Sequence, residues 1–219
     1  MFKQQIYIMS NWQPALYLGK LVLSTISSEE RLAMSHIKAI GQQLNGILKR
    51  YSADYIEVHL EENQTSYITY RGENLESVDR GTAIGGNVRA LVGGGWGFVS
   101  FNNFDDLPGR VELAIKQAQL VGSEVSKLAL VEPEVDTVLI EASKNPLAIP
   151  LAEKKQLLDE YNDIIWNTPK LQTSTISYGD SFRKAIFLNS LGSYIEQEKA
   201  GITLRLTAVA TEGIEVQQA

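Results

Sequence analysis

The residues that could do chemistry are few: two histidines, His36 and His59, and no cysteine in 219 residues. His59-Leu60-Glu61-Glu62 is the nearest thing to a metal cluster. Residues two apart on a strand point to one face, so His59 and Glu61 offer one imidazole and one carboxylate together. A catalytic zinc centre needs three protein ligands and a structural one four, so the pair falls short and reads as a surface histidine beside an acid. His36 lies in a helical stretch with no partner histidine at helical spacing. No catalytic and no metal-binding residue is therefore assigned.

Other patterns invite chemistry and mostly decline it. Gly93-Gly94-Gly95-Trp96-Gly97 has the glycine density of a phosphate cradle. It lacks Gly-Lys-Ser/Thr and any Gly-x-Gly-x-x-Gly opening a helix, so a hairpin turn is expected. Gly85-Gly86 reads as a bulge or a close backbone approach within a strand. Arg89 and Trp96 stand near these glycines and are the two candidates for lining a substrate groove, since sheet edges accept extended chains. The paired acids Glu29-Glu30, Glu61-Glu62 and Asp105-Asp106 are expected to be solvated, two of the pairs at helix starts where the helix dipole favours them. No Gly-x-Ser-x-Gly supports a hydrolytic serine.

Composition narrows the class. Twenty basic against 26 acidic residues give a net charge of −6, which argues against a surface built to neutralise nucleic-acid phosphates or an anionic membrane. Neither is expected as a partner. Absence of cysteine excludes a disulfide framework and thiolate chemistry and suits a cytoplasmic protein. The apolar runs Ile6–Met9 and Leu16–Leu23 are too short for the roughly 20 residues of a membrane span and lack the cleavage site of a secretory signal. Residues 1–27 are expected to form an irregular extension, or to follow from a start codon placed upstream of the true one.

These positions must be held by an α+β fold. Ser28-Glu29-Glu30-Arg31 can cap a helix whose Leu32, Ile37, Ile40, Leu44, Ile47 and Leu48 form one apolar face. Tyr55 to Glu61 alternates with period two, with Tyr55, Glu57, His59 and Glu61 on one face and Ile56, Val58 and Leu60 on the other. Short strands are expected at Ser66–Arg71, Leu75–Asp79, Ile84–Leu91 and Trp96–Phe101. A helix then opens at Asp105-Asp106-Leu107-Pro108 and ends at Gly122. A short strand near Val135–Ile140 precedes a helix over Leu151–Trp166. Four more strands follow at Thr173–Tyr178, Phe182–Asn189, Ser193–Gln197 and Ile202–Thr211, with a turn at Asn189-Ser190-Leu191-Gly192. Ile202, Leu204, Leu206 and Ala208 share one face of a strand expected to be wet on the other side only. Antiparallel or mixed sheets with flanking helices in two small lobes result. The boundaries are 1–27 for the extension, 28–140 for a first domain, and 141–219 for a helix plus strands that begin a second lobe, expected to be truncated because the chain stops in a polar tail.

The order Tyr55-Ile-Glu-Val, Arg71-Gly-Glu-Asn-Leu-Glu, Gly81-Thr-Ala-Ile-Gly-Gly-Asn-Val-Arg-Ala-Leu91 and Gly97-Phe-Val-Ser resembles the amino-terminal part of the TldD/PmbA family. The later Asn189-Ser190-Leu191-Gly192 turn before Ile202-Thr-Leu-Arg-Leu continues that order, so the likeness covers about residues 35–215. Gly81 to Leu91 and the glycine turn favour the TldD-like branch.

The resemblance implies a zinc-dependent peptidase, known as a modulator of DNA gyrase, that processes peptides such as microcin precursors and antitoxins. It also implies a pairing of TldD-like and PmbA-like subunits, or a homodimer. The family signature, His-Glu followed by three residues and a His, is absent from this sequence. No cofactor is expected in this chain itself, with zinc implied only for the full-length enzyme, and the chain alone is expected to be inactive. The expected role is the amino-terminal, non-catalytic portion of such a peptidase, supplying scaffold and dimer contacts. The alternative is a stand-alone binding or scaffold protein that pairs with a family partner, and an unrelated ligand-binding α+β domain stands third.

Overall fold

The computed structural model describes residues 28–121, 128, 129 and 131–218. The extension 1–27, Gly122 and the side chains of residues 28–36, among them His36 and the capping sequence, lie outside what it describes. Three helices, α1 (Ser28–Leu48), α2 (Leu107–Val121) and α3 (Leu151–Trp166), flank a seven-stranded sheet. Its strands are β1 (Tyr55–Arg71), β2 (Asn74–Val92), β3 (Gly95–Phe101), β4 (Val135–Val138), β5 (Leu171–Asn189), β6 (Tyr194–Glu212) and β7 (Glu215–Gln218). They run in the order β3-β2-β1-β5-β6-β4, with β7 on β6, and only the β4–β6 pair is parallel. The fold is α+β.

Strand lengths depart from the sequence expectation. The short strands predicted at 55–61 and 66–71 are one strand of 17 residues, and β2, β5 and β6 each fuse two predicted strands into 19 residues. Polar runs such as Glu61–Thr65 and Gly179-Asp180-Ser181 resemble turns. Each is instead paired residue for residue with its neighbours, Glu61↔Gly85 and Ala185, Thr65↔Gly81 and Ser181. The ladder satisfies the backbone whatever the side chains are. At about 3.3 Å per residue these strands run roughly 60 Å, well beyond the span of any one helix above them.

All three helices lie on one face. Even-numbered β1 residues point towards them: Ile56, Val58 and Leu60 join Ile37, Leu44, Val111, Ile186 and Leu188 in one core, while Ile68 and Tyr70 join Leu158, Ile176 and Tyr178 in another. Each fully buried Leu or Ile stabilises by roughly 1.5–3 kcal/mol relative to exposure. The α2 helix meets β3 closely at Gly97, where a Cβ would lie 1.9 Å from the Ala114 carbonyl oxygen. Asp106 caps this helix by accepting from the Gly109 amide at 3.0 Å.

The turns hold as read. Gly93 and Gly94 take φ of 56° and 85° between β2 and β3, and the Gly93 amide donates to Asp54 at 2.7 Å. Asn189 Oδ1 accepts from the Leu191 and Ser193 amides at 3.0 and 2.9 Å. Gly86 is a close approach, not a bulge: a Cβ there would sit 2.8 Å from the His59 carbonyl oxygen, while the β1–β2 register shifts only between Thr69 and Tyr70.

A single sheet runs through both expected lobes, and what separates the two cores is a polar band. Glu62, Ser66, Asp180 and Lys184 occupy the helix-facing side between them at 6, 2, 3 and 7% exposure. The expectation that Glu61-Glu62 is a solvated pair is corrected for Glu62, which points inward because its strand parity is that of Leu60. The β6 expectation is corrected too. Ile202, Leu204 and Leu206 share a face with Tyr178 and Ile176 through the register, yet remain 57, 40 and 41% exposed. The α3 helix packs over β1 and β5 and leaves these β6 residues uncovered.

Candidate functional site

The face of the sheet away from the helices carries the odd-numbered residues of β1 and their partners, and Arg89, Trp96, His59 and Glu61 collect there. At one end Arg89 pairs across β1–β2 with Glu57, and its Nη1 lies 3.0 Å from the carboxylate. The guanidinium carbon sits 4.5 Å from the Trp96 ring centre, while Tyr55 meets the same indole edge-on at 6.2 Å. Tyr55 donates to Glu57 at 3.0 Å and accepts from Asn189 Nδ2 at 3.4 Å. Burial, and then the hydrogen bond to Glu57, push the Tyr55 phenol up to about 12. The two groove candidates, Arg89 and Trp96, thus form one stack. Its positive charge is answered by Glu57, so the stack is a flat aromatic and cationic wall more than a free charge.

His59 stands next along β1, 3.9 Å from Glu57 and with its ring centre 4.8 Å from that of Phe187. Glu61, the other half of the proposed ligand pair, is bound by Arg183. Among the described residues no group of three or more His, Asp or Glu side chains converges to hold a metal ion. These residues do not fit a zinc centre, and no metal-dependent step is derived from them.

Beneath α3 lies a second polar group that sequence reasoning missed. Lys154 Nζ is 2.5 Å from Asp180 Oδ2, with the side chains 4 and 0% exposed, and Tyr178 donates to the same oxygen at 2.5 Å. Burial and Asp180 push the Tyr178 phenol upward. Lys154 also donates to Ser66 Oγ at 3.4 Å. A serine beside a lysine suggests nucleophilic chemistry, but the base there must be neutral and reachable. Here the lysine is ion-paired and the serine 2% exposed, so the group pins α3 to the sheet. Asp180 Oδ1 has no partner among the described residues. Three of the four lie on separate elements, and only the fold brings them together.

Farther along the open face a groove of about 550 Å³ follows β5. Its floor is Ser177, Gly179 and Ser181, bounded by Tyr67 and Thr69 of β1 and by Thr203 and Arg205 of β6. The register aligns Tyr67↔Gly179↔Thr203 and Thr69↔Ser177↔Arg205. The Asp180 carboxylate points the other way, to Lys154. Among the described residues no helix is long and apolar enough to cross a membrane.

Comparisons with known proteins agree on kinship. The family model for PmbA/TldA metallopeptidase domain 1 matches residues 56–119, and that for the PmbA/TldA metallopeptidase central domain matches residues 144–218. A metalloprotease of Synechocystis sp. is 36% identical over 186 residues, covering 83% of this chain and 40% of its own length. A metalloprotease of Methanothermobacter thermautotrophicus is 32% identical over 167 residues, covering 75% of this chain and 36% of its own. The chain therefore spans about 40% of the length of the curated relatives it matches. Among solved structures, a protein described as a modulator of DNA gyrase from Bacteroides thetaiotaomicron superposes with a TM-score of 0.64 at 16% identity, covering 89% of this chain and 44% of that one. TldE from Thermococcus kodakarensis superposes with a TM-score of 0.61 at 17% identity, covering 84% and 40%. At such identities these two attest the fold alone. With its sequence relatives and two domain matches in order along one sheet, the chain belongs to the PmbA/TldD metallopeptidase family.

Proposed function

We propose that these residues supply the non-catalytic framework of a PmbA/TldD-type metallopeptidase: a scaffold for the proteolytic centre and contacts to a second subunit. The observation that supports this most is the ordered match to the family's first and central domains, in a sheet whose described residues offer no metal cluster. Under this reading zinc and its ligands come from residues other than the described ones, and a peptide is the substrate of the assembled enzyme. The partner is a PmbA/TldD-type subunit or a second copy of this chain. A cytoplasmic setting belongs to the same reading and rests on the cysteine-free composition.

Sedimentation velocity of the purified chain, alone and mixed with a TldD-type or a PmbA-type protein, tests the contact. A new faster boundary is expected with one of these or with self-association, whereas independent boundaries at micromolar concentration overturn the dimer role. Isothermal titration with zinc is expected to give no stoichiometric tight binding. A tight one-to-one site would sink the non-catalytic assignment.

A further inference from the structure

The open groove along β5 is built differently from the rest of the sheet. On most of this face side chains from neighbouring strands answer one another, Arg89 with Glu57 and Arg183 with Glu61. In the groove the Arg205 guanidinium makes no hydrogen bond or ion pair with any described residue, although it stands in the row of Thr69 and Ser177. Lys199, on the same face of β6, is likewise exposed and without a partner among the described residues. No carboxylate lines the groove: Glu61 is held by Arg183, and Asp180 contributes only its backbone. Arg205 and Lys199 are the cations on the β6 side of the groove, while the exposed Asp79 stands opposite Tyr67 on its β2 side, on a chain of net charge −6. Screening over about 8–10 Å at ordinary salt lets the nearest of these, Arg205, govern a charged group lying on the β6 side.

Shape narrows the ligand. From Ser177 to Ser181 the floor runs about 13 Å along the strand, the length of roughly four residues of extended chain. Gly179 leaves space that Tyr67 partly fills, since a Cβ there would lie 3.1 Å from two Tyr67 ring carbons. The ring remains 51% exposed and forms a platform on the groove floor. Packing against glycine accounts for the ring's position but leaves its outer surface and Arg205 unused. Hydroxyls of Thr69, Ser177, Ser181 and Thr203 supply short donors and acceptors along the walls. A lipid or drug-like ligand needs mostly apolar walls, whereas serines, threonines and an arginine outnumber Tyr67, Tyr178 and Ile202 in this lining. A guanidinium suits a planar carboxylate, which it can grip through two parallel hydrogen bonds.

We propose that this groove binds an extended acidic peptide segment of about four residues, its carboxylate on Arg205 and a neighbouring side chain on Tyr67. The site lies on the helix-free face and requires no second subunit, so it does not rest on the scaffold reading. Its test uses the chain alone, and its failure would leave that reading intact.

The experiment follows fluorescence anisotropy as the full chain is titrated into fluorescein-labelled Ser-Val-Asp-Val-Ser-amide, the same peptide with Asn for Asp, and both again with inorganic phosphate present. Saturable binding of the Asp peptide is expected, with the Asn peptide weaker by roughly tenfold, the order of one charge-assisted hydrogen-bonded pair. Arg205→Gln should bring the Asp peptide down to the Asn level, and Arg205→Lys should restore part of the difference. Tyr67→Ala should weaken both peptides alike. Equal binding of the two peptides, no saturation up to millimolar chain, or full displacement by equimolar phosphate overturns the proposal, the last by reducing the site to one for simple anions. Circular dichroism checks each variant's fold, and should one fail to fold, the Asp and Asn comparison on the unaltered chain still decides.

Discussion

The two halves of the helix-covered face bury their strands by different means. Under α1 and α2 the sheet meets a continuous aliphatic core in which Ile37, Leu44, Ile56, Val58, Val111 and Leu188 are fully covered. Under α3 the core shrinks to Ile68, Tyr70, Leu158, Ile176 and Tyr178, with the Lys154–Asp180 pair beside it. One half is held mainly by area removed from water. The other is specified by a buried ion pair that fixes where α3 sits. Apolar contact is forgiving of small shifts, whereas a buried charge tolerates only the register that pairs it. The thin half is also the one that leaves apolar β6 residues uncovered.

The largest expected effect tests that difference directly. Lys154→Met removes one charge and strands the other beneath α3, which should cost about 3–5 kcal/mol in urea unfolding. The double variant Lys154→Met with Asp180→Leu should recover most of the loss, because a buried pair replaced by apolar groups is often near neutral. A double variant no better than the single would mean that the pair contributes net stability, and that the two halves differ less than the geometry implies.

Aliphatic truncation sharpens the same contrast. Leu44→Ala and Leu158→Ala remove equal side chains from sites of 0% exposure, each costing about 2–5 kcal/mol. Their hydrogen-exchange patterns should differ. The first is expected to raise exchange throughout β1 and β5, the second chiefly around Ser174–Tyr178, because a small core opens locally before the whole sheet does. Identical patterns would make the two cores one cooperative unit.

Alkaline pH gives a smaller and more evenly shared effect. Tyr55 and Tyr194 are pushed up to about 12, both chiefly by burial, with Tyr178 under α3 raised as well. Each phenol holds its proton more firmly folded than unfolded. The stability this represents is complete below the unfolded value of about 10 and is lost as pH climbs from there through the folded value. Thermal unfolding should therefore show little tyrosine contribution up to about pH 10 and a decline between about 10 and 12. Replacing Tyr55 and Tyr194 by Phe should flatten that decline, and an unaltered decline would remove the phenols from the account.

How far the sequence foretold these features varies with the kind of signal. Period two in Tyr55–Glu61 assigned both faces of β1 correctly, and the glycines at 93 and 94 gave the turn that sets Arg89 and Trp96 on one surface. The partner that fixes them, Glu57, depends on pairing across a hairpin closed at Gly72, and no local spacing encodes it. The long strands were hidden because residues such as Asn63, Gln64 and Gly179 carry turn-like preferences that ladder pairing overrides. Glu62 read as a wet acid and Asp180 fell between two expected strands, since burial depends on which helix arrives above them. Arg205 was legible as one wet residue among several, and only the three-strand alignment placed it beside a strip of serines and glycine.

The smallest expected effect concerns the uncovered stripe on β6. Leu204→Ser should change the unfolding free energy of the isolated chain by no more than about 0.5 kcal/mol, as for surface sites that lose no buried contact. The same change in the first core, at Leu188, should be severe. A loss above about 1.5 kcal/mol at Leu204 would show that the stripe is covered in solution. If that loss grows with protein concentration, the cover is another copy of the chain, since association stabilises by mass action. If it does not, α3 reaches farther over the sheet than its packing on β1 and β5 indicates. The apolar residues at 202, 204 and 206 would then belong to the second core, and the contrast between the halves would narrow to the ion pair alone.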